Sequence, residues 1–291
     1  MAINTSNKTV EERTQEDLIR ERMQANEEME EKLKHNMADI KHKILVLSNK
    51  GGVGKSTVSV NLSCILANKG YRVGLLDADL HGPSIVKMFG LEGKQLTGSN
   101  GEINPLPVRK NLVTVSMASL IESPDTPLVW RGPLKGAAIK QLLMEVNWGK
   151  LDYLVIDSPP GTGDEPLSIC QLIPELDGGV IVTTPQEVAL IDSRKSITFL
   201  RNLHIPIFGI VENMSGFKCP HCGTRIDLFK TGGGEKAAKD FKVPFLGKIP
   251  LDAELVSCGD QGEPLMCSNK KSIAREAFEE VVRSILAQIE G

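Results

Sequence analysis

From Lys43 onward the chain alternates short β-branched and aliphatic runs with longer stretches of helical periodicity. Ile44–Ser48, Arg72–Asp77, Tyr153–Asp157, Gly179–Thr183 and Pro206–Val211 read as strands, with further strands near Leu112–Ser116 and Pro244–Ile249. Residues 54–69, 133–146, 187–203 and 272–289 read as helices. The strand runs are apolar throughout, so each is expected to be covered on both faces. Strands of this kind spaced by helices specify an α/β chain with a mainly parallel, doubly wound sheet. No Pro/Gly/Ser-rich linker divides residues 41–291 and no repeat is evident, so this region is expected to form a single domain.

Residues 1–40 follow another pattern. They hold ten acidic and six basic residues and no Gly, Pro, Phe, Tyr or Trp. Helix formers dominate from Val10 to Ile40, with a thin apolar row at Met29, Leu33, Met37 and Ile40. That row is too narrow to build a core. The segment is expected to be a charged helical or partly disordered tail, either solvated or laid on the body or a partner.

Composition adds exclusions. Across 291 residues, 41% apolar and 24% charged is ordinary globular usage. The net charge of −3 resides in the tail, whose own balance is −4. A near-neutral body does not predict binding to nucleic acid or anionic membranes. The six cysteines are too few for a disulfide framework. An apolar leader and any long apolar stretch are missing, so a cytoplasmic, thiol-reduced protein is expected.

The strongest chemistry follows the first strand, at Ser48-Asn49-Lys50-Gly51-Gly52-Val53-Gly54-Lys55-Ser56-Thr57. A strand, a glycine-rich turn and a helix start are the context of a phosphate loop. Gly51, Gly52 and Gly54 let backbone N–H groups curl around phosphate oxygens, and the helix start adds its own free N–H groups. Lys55 can reach the β- and γ-phosphates of ATP, and Ser56 is placed for Mg2+. Gly51, Gly52, Val53, Gly54, Lys55, Ser56 and Thr57 are therefore the candidate nucleotide-binding residues. Asn49 stands where the strict pattern has glycine; it is expected to keep the turn because Asn tolerates left-handed angles. Asp77 and Asp79 follow the second strand, and Asp157 ends the third of the named strands, all at the carboxyl edge where open α/β sheets bind ligands. Asp157 is expected to hold Mg2+ through water. Ser158-Pro159-Pro160-Gly161-Thr162-Gly163-Asp164 is a loop suited to sensing the γ-phosphate.

A second unit is Cys219-Pro220-His221-Cys222-Gly223. Two thiolates from one tight turn can bind one metal centre, but no second pair follows at zinc-ribbon spacing, and two ligands cannot complete a tetrahedral site. Two such turns brought together by a symmetric dimer would supply four thiolates, enough for one [4Fe-4S] cluster or one zinc. A redox dithiol and an incidental pair are the alternatives.

Residues 49–62 (NKGGVGKSTVSVNL), 77–85 (DADLHGPSI), 129–133 (VWRGP), 155–164 (VIDSPPGTGD), 183–190 (TTPQEVAL) and 211–223 (VENMSGFKCPHCG) together resemble the Mrp/ApbC-type iron–sulfur cluster carriers, deviant Walker A ATPases of the MinD/ParA-like group. The resemblance implies a P-loop NTPase fold and a homodimer that holds a [4Fe-4S] cluster between subunits through Cys219 and Cys222 and passes it to apo-proteins. It implies that Lys50 contacts phosphate across the dimer, that Asp79 orients the attacking water, that Asp77 supports the metal and that Asn213 touches adenine. Asp252 is a further nucleotide-edge candidate, whereas Trp130, Arg131 and His81 gain no chemical role. Relatives of the eukaryotic type carry extra N-terminal cysteines; residues 1–63 here contain none, so one bridging cluster is expected. The function expected is slow ATP hydrolysis modulating cluster transfer, with an upstream cluster donor as a further partner. The alternatives are a MinD/ParA-like positioning ATPase, or an ATPase with a zinc clasp at the cysteines.

Overall fold

Because the strand runs lack a polar face, each needs cover on both sides, and the computed structural model supplies it with helices. The structure describes residues 15–79, 82, 84–99, 102–120, 132–219 and 221–290. In chain order the first half forms α1 (Gln15–Ala38), β1 (Ile40–Leu47), α2 (Lys55–Asn68), β2 (Val73–Asp77), α3 (Ile85–Met88), β3 (Thr97–Ser99), β4 (Glu102–Asn104), β5 (Leu106–Arg109), β6 (Leu112–Ser116) and α4 (Gly132–Glu145). There follow β7 (Leu151–Asp157), α5 (Asp164–Leu172), β8 (Gly178–Thr183), α6 (Glu187–Asn202), β9 (Ile207–Lys218), β10 (Arg225–Ile226), α7 (Gly233–Phe241), β11 (Phe245–Leu251), α8 (Ala253–Asp260) and α9 (Ile273–Ile289).

The main sheet runs β10-β9-β8-β1-β7-β2-β6-β5, with β11 also paired to β9. Its centre is parallel; β5 and β10 are antiparallel additions at the two ends. Strand alternation divides the apolar residues between two cores. Ile44 and Val46 of β1 join Val58, Leu62 and Leu66 of α2 and Phe278, Val282 and Ile285 of α9. Leu45 and Leu47 join Ile139 and Leu143 of α4 and Ile197 and Leu200 of α6 on the other side. The α/β, mainly parallel, doubly wound fold read from the sequence is thus the fold observed.

Details depart from the sequence pattern. β9 runs seven residues beyond the predicted end at Val211, while β3 and β4 form an unpredicted antiparallel pair and β5 an unpredicted edge strand. The last turns of α1 enter the second core through Leu33 and Met37, while Met23 and Met29 are exposed. The Asn36 amide donates to the Met144 carbonyl, fixing that end of α1 against α4. The expectation of a wholly thiol-reduced chain needs correction. Cys64 in α2 and Cys267, ahead of α9, form a disulfide with Cα atoms 5.8 Å apart. A separation of 203 residues hides the pairing from any reading of local spacing.

Candidate functional site

Strand register decides which carboxylates meet. In the parallel ladder Asp77 of β2 lies beside Asp157 of β7, which in turn lies beside Val46 of β1, one residue before that strand's end. The chain leaving β1 therefore turns over both acids before α2 begins at Lys55. Its left-handed residues are Gly52 (φ 79°) and Gly54 (φ 83°). Gly54 is required twice over, because a Cβ there would also run into the Asn213 amide. Asn49 is not among the left-handed residues. It holds the turn with its side chain instead, donating to Asp192 of α6 at 2.8 Å and accepting from Thr162 at 3.4 Å. Gly161 N–H donates to Ser48 C=O at 2.8 Å, so the 158–164 loop is docked on the phosphate-type loop.

Asp157 is completely buried and fully used. Lys55 Nζ lies 2.8 Å from its Oδ2, Ser56 Oγ donates to the same oxygen at 2.6 Å, and Ser59 Oγ donates to Oδ1 at 2.7 Å. Asp77 is less well compensated. Its carboxylate accepts from Ser116 Oγ (2.9 Å) and Asp79 N–H (3.2 Å). Burial, followed by the nearby Asp157 charge, pushes its pKa from 3.8 up to about 7. Asp79 is mostly buried and accepts from Gly82 N–H at 3.2 Å. Lys50, Gly51 and Gly52 are exposed. With Val53, Thr184, Gln186, Met214 and Phe229 they line a cavity of about 160 Å³. Thr57 lines a separate cavity of about 270 Å³ between α2, α3 and α8.

Asn213 reaches the same loop from β9, donating to Val53 C=O at 2.9 Å. Beyond it, β9 carries the chain to the cysteines. Lys218 and Phe217 pair with Arg225 and Ile226 of β10, so Cys219 and Cys222 occupy a hairpin tip. Cys219 N–H donates to Thr224 C=O and Gly223 N–H to Cys219 C=O, each at 2.9 Å. Cys219 is half-buried and Cys222 exposed. Hydrogen bonds with the Thr224 side chain (3.2 Å) and backbone, then one with Cys219, hold the Cys222 thiol below its usual pKa. His221 is exposed at the same tip. Among the described residues no third His, Cys, Asp or Glu joins the pair.

The structure thus brings Lys55, Ser56, Asp77, Asp79 and Asp157 together and sets Asn213 against the loop. Cys219 and Cys222 stand apart on their hairpin. Asp252 caps α8 through Glu254 N–H (2.9 Å) and accepts from Ser272 Oγ at the start of α9 (2.6 Å). Both its oxygens are thereby committed to packing two helices. His81, Trp130 and Arg131 lie outside the described residues. Two site residues escaped the sequence analysis. Ser59 was signalled only by its place one helical turn after Ser56, and Ser116 by a hydroxyl ending an apolar strand.

A family model described as "ParA: NUBPL iron-transfer P-loop NTPase" matches residues 39–286. An iron–sulfur cluster carrier protein of Methanocaldococcus jannaschii is 51% identical over 260 residues, 89% of each chain. One from Methanococcus maripaludis is 48% identical over 263 residues, 90% of each chain. Among solved structures, a nucleotide-binding protein of Archaeoglobus fulgidus in complex with ADP is 38% identical, with a TM-score of 0.72 over 84% of this chain and 98% of that one. The septum site-determining protein MinD of Pyrococcus horikoshii, at 22% identity and a TM-score of 0.63, covers 86% of this chain and 99% of its own, and shares the fold. The chain belongs to the NUBPL-type iron-transfer P-loop NTPases of the ParA group.

Proposed function

We propose that two copies of this chain carry one labile [4Fe-4S] cluster between their Cys219/Cys222 pairs and deliver it to apo-proteins, with ATP binding and hydrolysis controlling release. The observation that carries the reading is the hairpin tip. It offers two adjacent thiols, one of them held toward its thiolate form, and half of a tetrahedral ligand set. Exposed Ile226 and Leu228, 42% and 60% accessible, flank the pair and give a second copy an apolar rim to cover. Iron-transfer family membership favours a cluster over zinc as the cargo.

The nucleotide half follows from the loop. Gly51–Thr57 would wrap the phosphates with backbone N–H groups and the α2 start. Lys55 would leave Asp157 to meet the β- and γ-phosphates. Lys50, exposed beside the loop, would reach phosphate in the partner subunit and offset charge developing during transfer. Asp79 would orient the attacking water, and Asn213 would place the loop, and through it the nucleotide. Ser56 Oγ, the Asp157 carboxylate and Asp77 form a set of hard oxygen donors, and the crowding of two acids fits Mg2+. Bound there, Mg2+ supplies charge neutralisation of the phosphates.

A positioning ATPase of the MinD type shares the fold, but the apolar face of α9 is spent on the core through Phe278, Val281, Val282 and Ile285. Among the described residues no helix is long and apolar enough to cross a membrane. The deciding experiment is anaerobic reconstitution with iron and sulfide, followed by visible absorption, iron and zinc analysis and measurement of mass in solution. One cluster per dimer, lost in C219S and C222S, is expected. Zinc alone, or cluster uptake by a monomer, overturns the carrier reading. Control by ATP is tested with K55A, which is expected to transfer cluster at one rate with or without nucleotide.

A further inference from the structure

Glu212 is a fully buried acid in the middle of the apolar sheet, and none of the roles above uses it. Its two oxygens collect three donors. Ser215 Oγ reaches Oε1 at 2.5 Å and Gly232 N–H reaches it at 2.9 Å, while Gly234 N–H reaches Oε2 at 2.5 Å. Gly232 and Gly234 belong to the start of α7, so the carboxylate caps that helix from another element. Approach is close enough that a Cβ on Gly234 would press on Glu212 Cβ at 3.0 Å and on Oε2 at 3.2 Å.

The position of these bonds in the chain gives them meaning. β9 departs toward the cysteines, the hairpin turns at Cys219–Cys222, and the chain returns to Gly232. Glu212 therefore ties the returning end of the cysteine-bearing excursion to the strand from which it leaves. The next residue, Asn213, ties that strand to Val53 of the phosphate-type loop. Phe229, on the return leg, lines one cavity with Lys50, Gly51, Gly52 and Val53. Loop and excursion thus share a wall, and adjacent residues of β9 grip one each.

We propose that Glu212 is a positioning residue that makes the geometry of Cys219 and Cys222 depend on the nucleotide loop. This rests on the nucleotide control of release proposed above. A displacement of Val53 passes through Asn213 to β9, and Glu212 converts it into movement of the excursion. Without the cap the hairpin hinges independently of the loop. Glu212→Gln replaces one acceptor oxygen by an NH2 facing a backbone N–H, so one side of the clamp opens while size is kept.

The test is timed alkylation of Cys219 and Cys222 in the full-length, cluster-free protein, read by peptide mass spectrometry without nucleotide, with ADP and with ATP, Mg2+ present throughout. In the wild type, nucleotide is expected to change the Cys222 rate about fivefold or more, the lower end of ordinary coupling between sites. In E212Q that ratio is expected to fall below about twofold while ADP affinity stays within about threefold of wild type. A merely structural role would lower thermal stability and leave the ratio in place. E212Q keeping the wild-type ratio overturns the role of Glu212 and leaves nucleotide control standing. A wild type that shows no nucleotide response overturns both. G234A, which displaces the same carboxylate from the other side of the contact, is read by the same criterion if E212Q does not fold.

Discussion

Asp77→Asn isolates the energetic cost of holding two carboxylates at the nucleotide site. Asp77 is buried beside Asp157, and its pKa rises from 3.8 to about 7. Between those values the folded protein keeps a proton that the unfolded chain has released. Stability from this group is therefore full below about pH 4 and lost as pH climbs through 7. A shift of about three units amounts to about 4 kcal/mol at pH 8, of which roughly 2 kcal/mol is already lost at pH 5. Asn keeps the volume, can accept from Asp79 N–H and can donate to Ser116 Oγ, so the hydrogen bonds survive while the charge goes.

Urea unfolding of nucleotide-free protein in chelator, at pH 5 and pH 8, measures the effect. The stability of D77N relative to wild type is expected to grow by roughly 2–3 kcal/mol between the two, a midpoint shift of about 1 M urea. Any packing defect from the substitution is the same at both pH values, so the change is diagnostic and the absolute difference is not. Parallel pH dependences in the two proteins would refute the reasoning. ATP hydrolysis by D77N is expected to fall despite the gain, because in the proposed function the Asp77 charge would support the Mg2+ that accompanies the nucleotide.

Three further outcomes follow from named contacts. G54A is expected to lose ADP binding in calorimetry and to be destabilised by more than about 1 kcal/mol, since φ is 83° and the new methyl meets the Asn213 amide. Reduction by a dithiol, or C64S, is expected to lower stability by about 2–4 kcal/mol in thermal melts, for a disulfide closing a very long loop. Dithiol then has no further effect on C64S. Alkylation across a pH series is expected to show Cys222 reacting at lower pH than Cys170, whose thiol burial pushes up to about 12; Thr224→Val removes much of that advantage.

What the sequence disclosed, and what it withheld, divides along sequence distance. The phosphate-type loop, the acids ending β2 and β7, and the cysteine turn are local in the chain, so their patterns name them directly. The parallel order also follows, because the apolar runs permit no exposed face. Partners across the sheet are invisible to periodicity. Nothing near Cys64 points to Cys267, and nothing near Asn49 points to Asp192. Asn49 shows the limit well. Its chemistry suggested a left-handed backbone, yet the glycines take that conformation and Asn49 stabilises the turn through its amide. Glu212 was legible as an anomaly, an acid in an apolar run, but its meaning required Gly232 and Gly234 to be seen beside it.

The arrangement around Asp157 constrains the order of events more than any single residue does. Lys55 is the sole cation in contact with this buried carboxylate among the described residues. A phosphate bound by Lys55 would compete with Oδ2 for the charge of its ammonium. Were Lys55 to turn to a phosphate, Asp157 would retain only the Ser56 and Ser59 hydroxyls, and an acid buried without a counter-charge costs several kcal/mol. In the proposed function a divalent cation held by Ser56 and Asp157 would supply that counter-charge. It would also favour the ionised form of Asp77, which burial and the Asp157 charge otherwise disfavour. In the proposed function the Lys55–Asp157 pair would therefore favour binding of nucleotide and cation together over either alone. Because Asn213 holds that loop and Glu212 the cysteine excursion, a change at the Lys55–Asp157 pair would have a route to the hairpin through β9, as the proposed control of release requires.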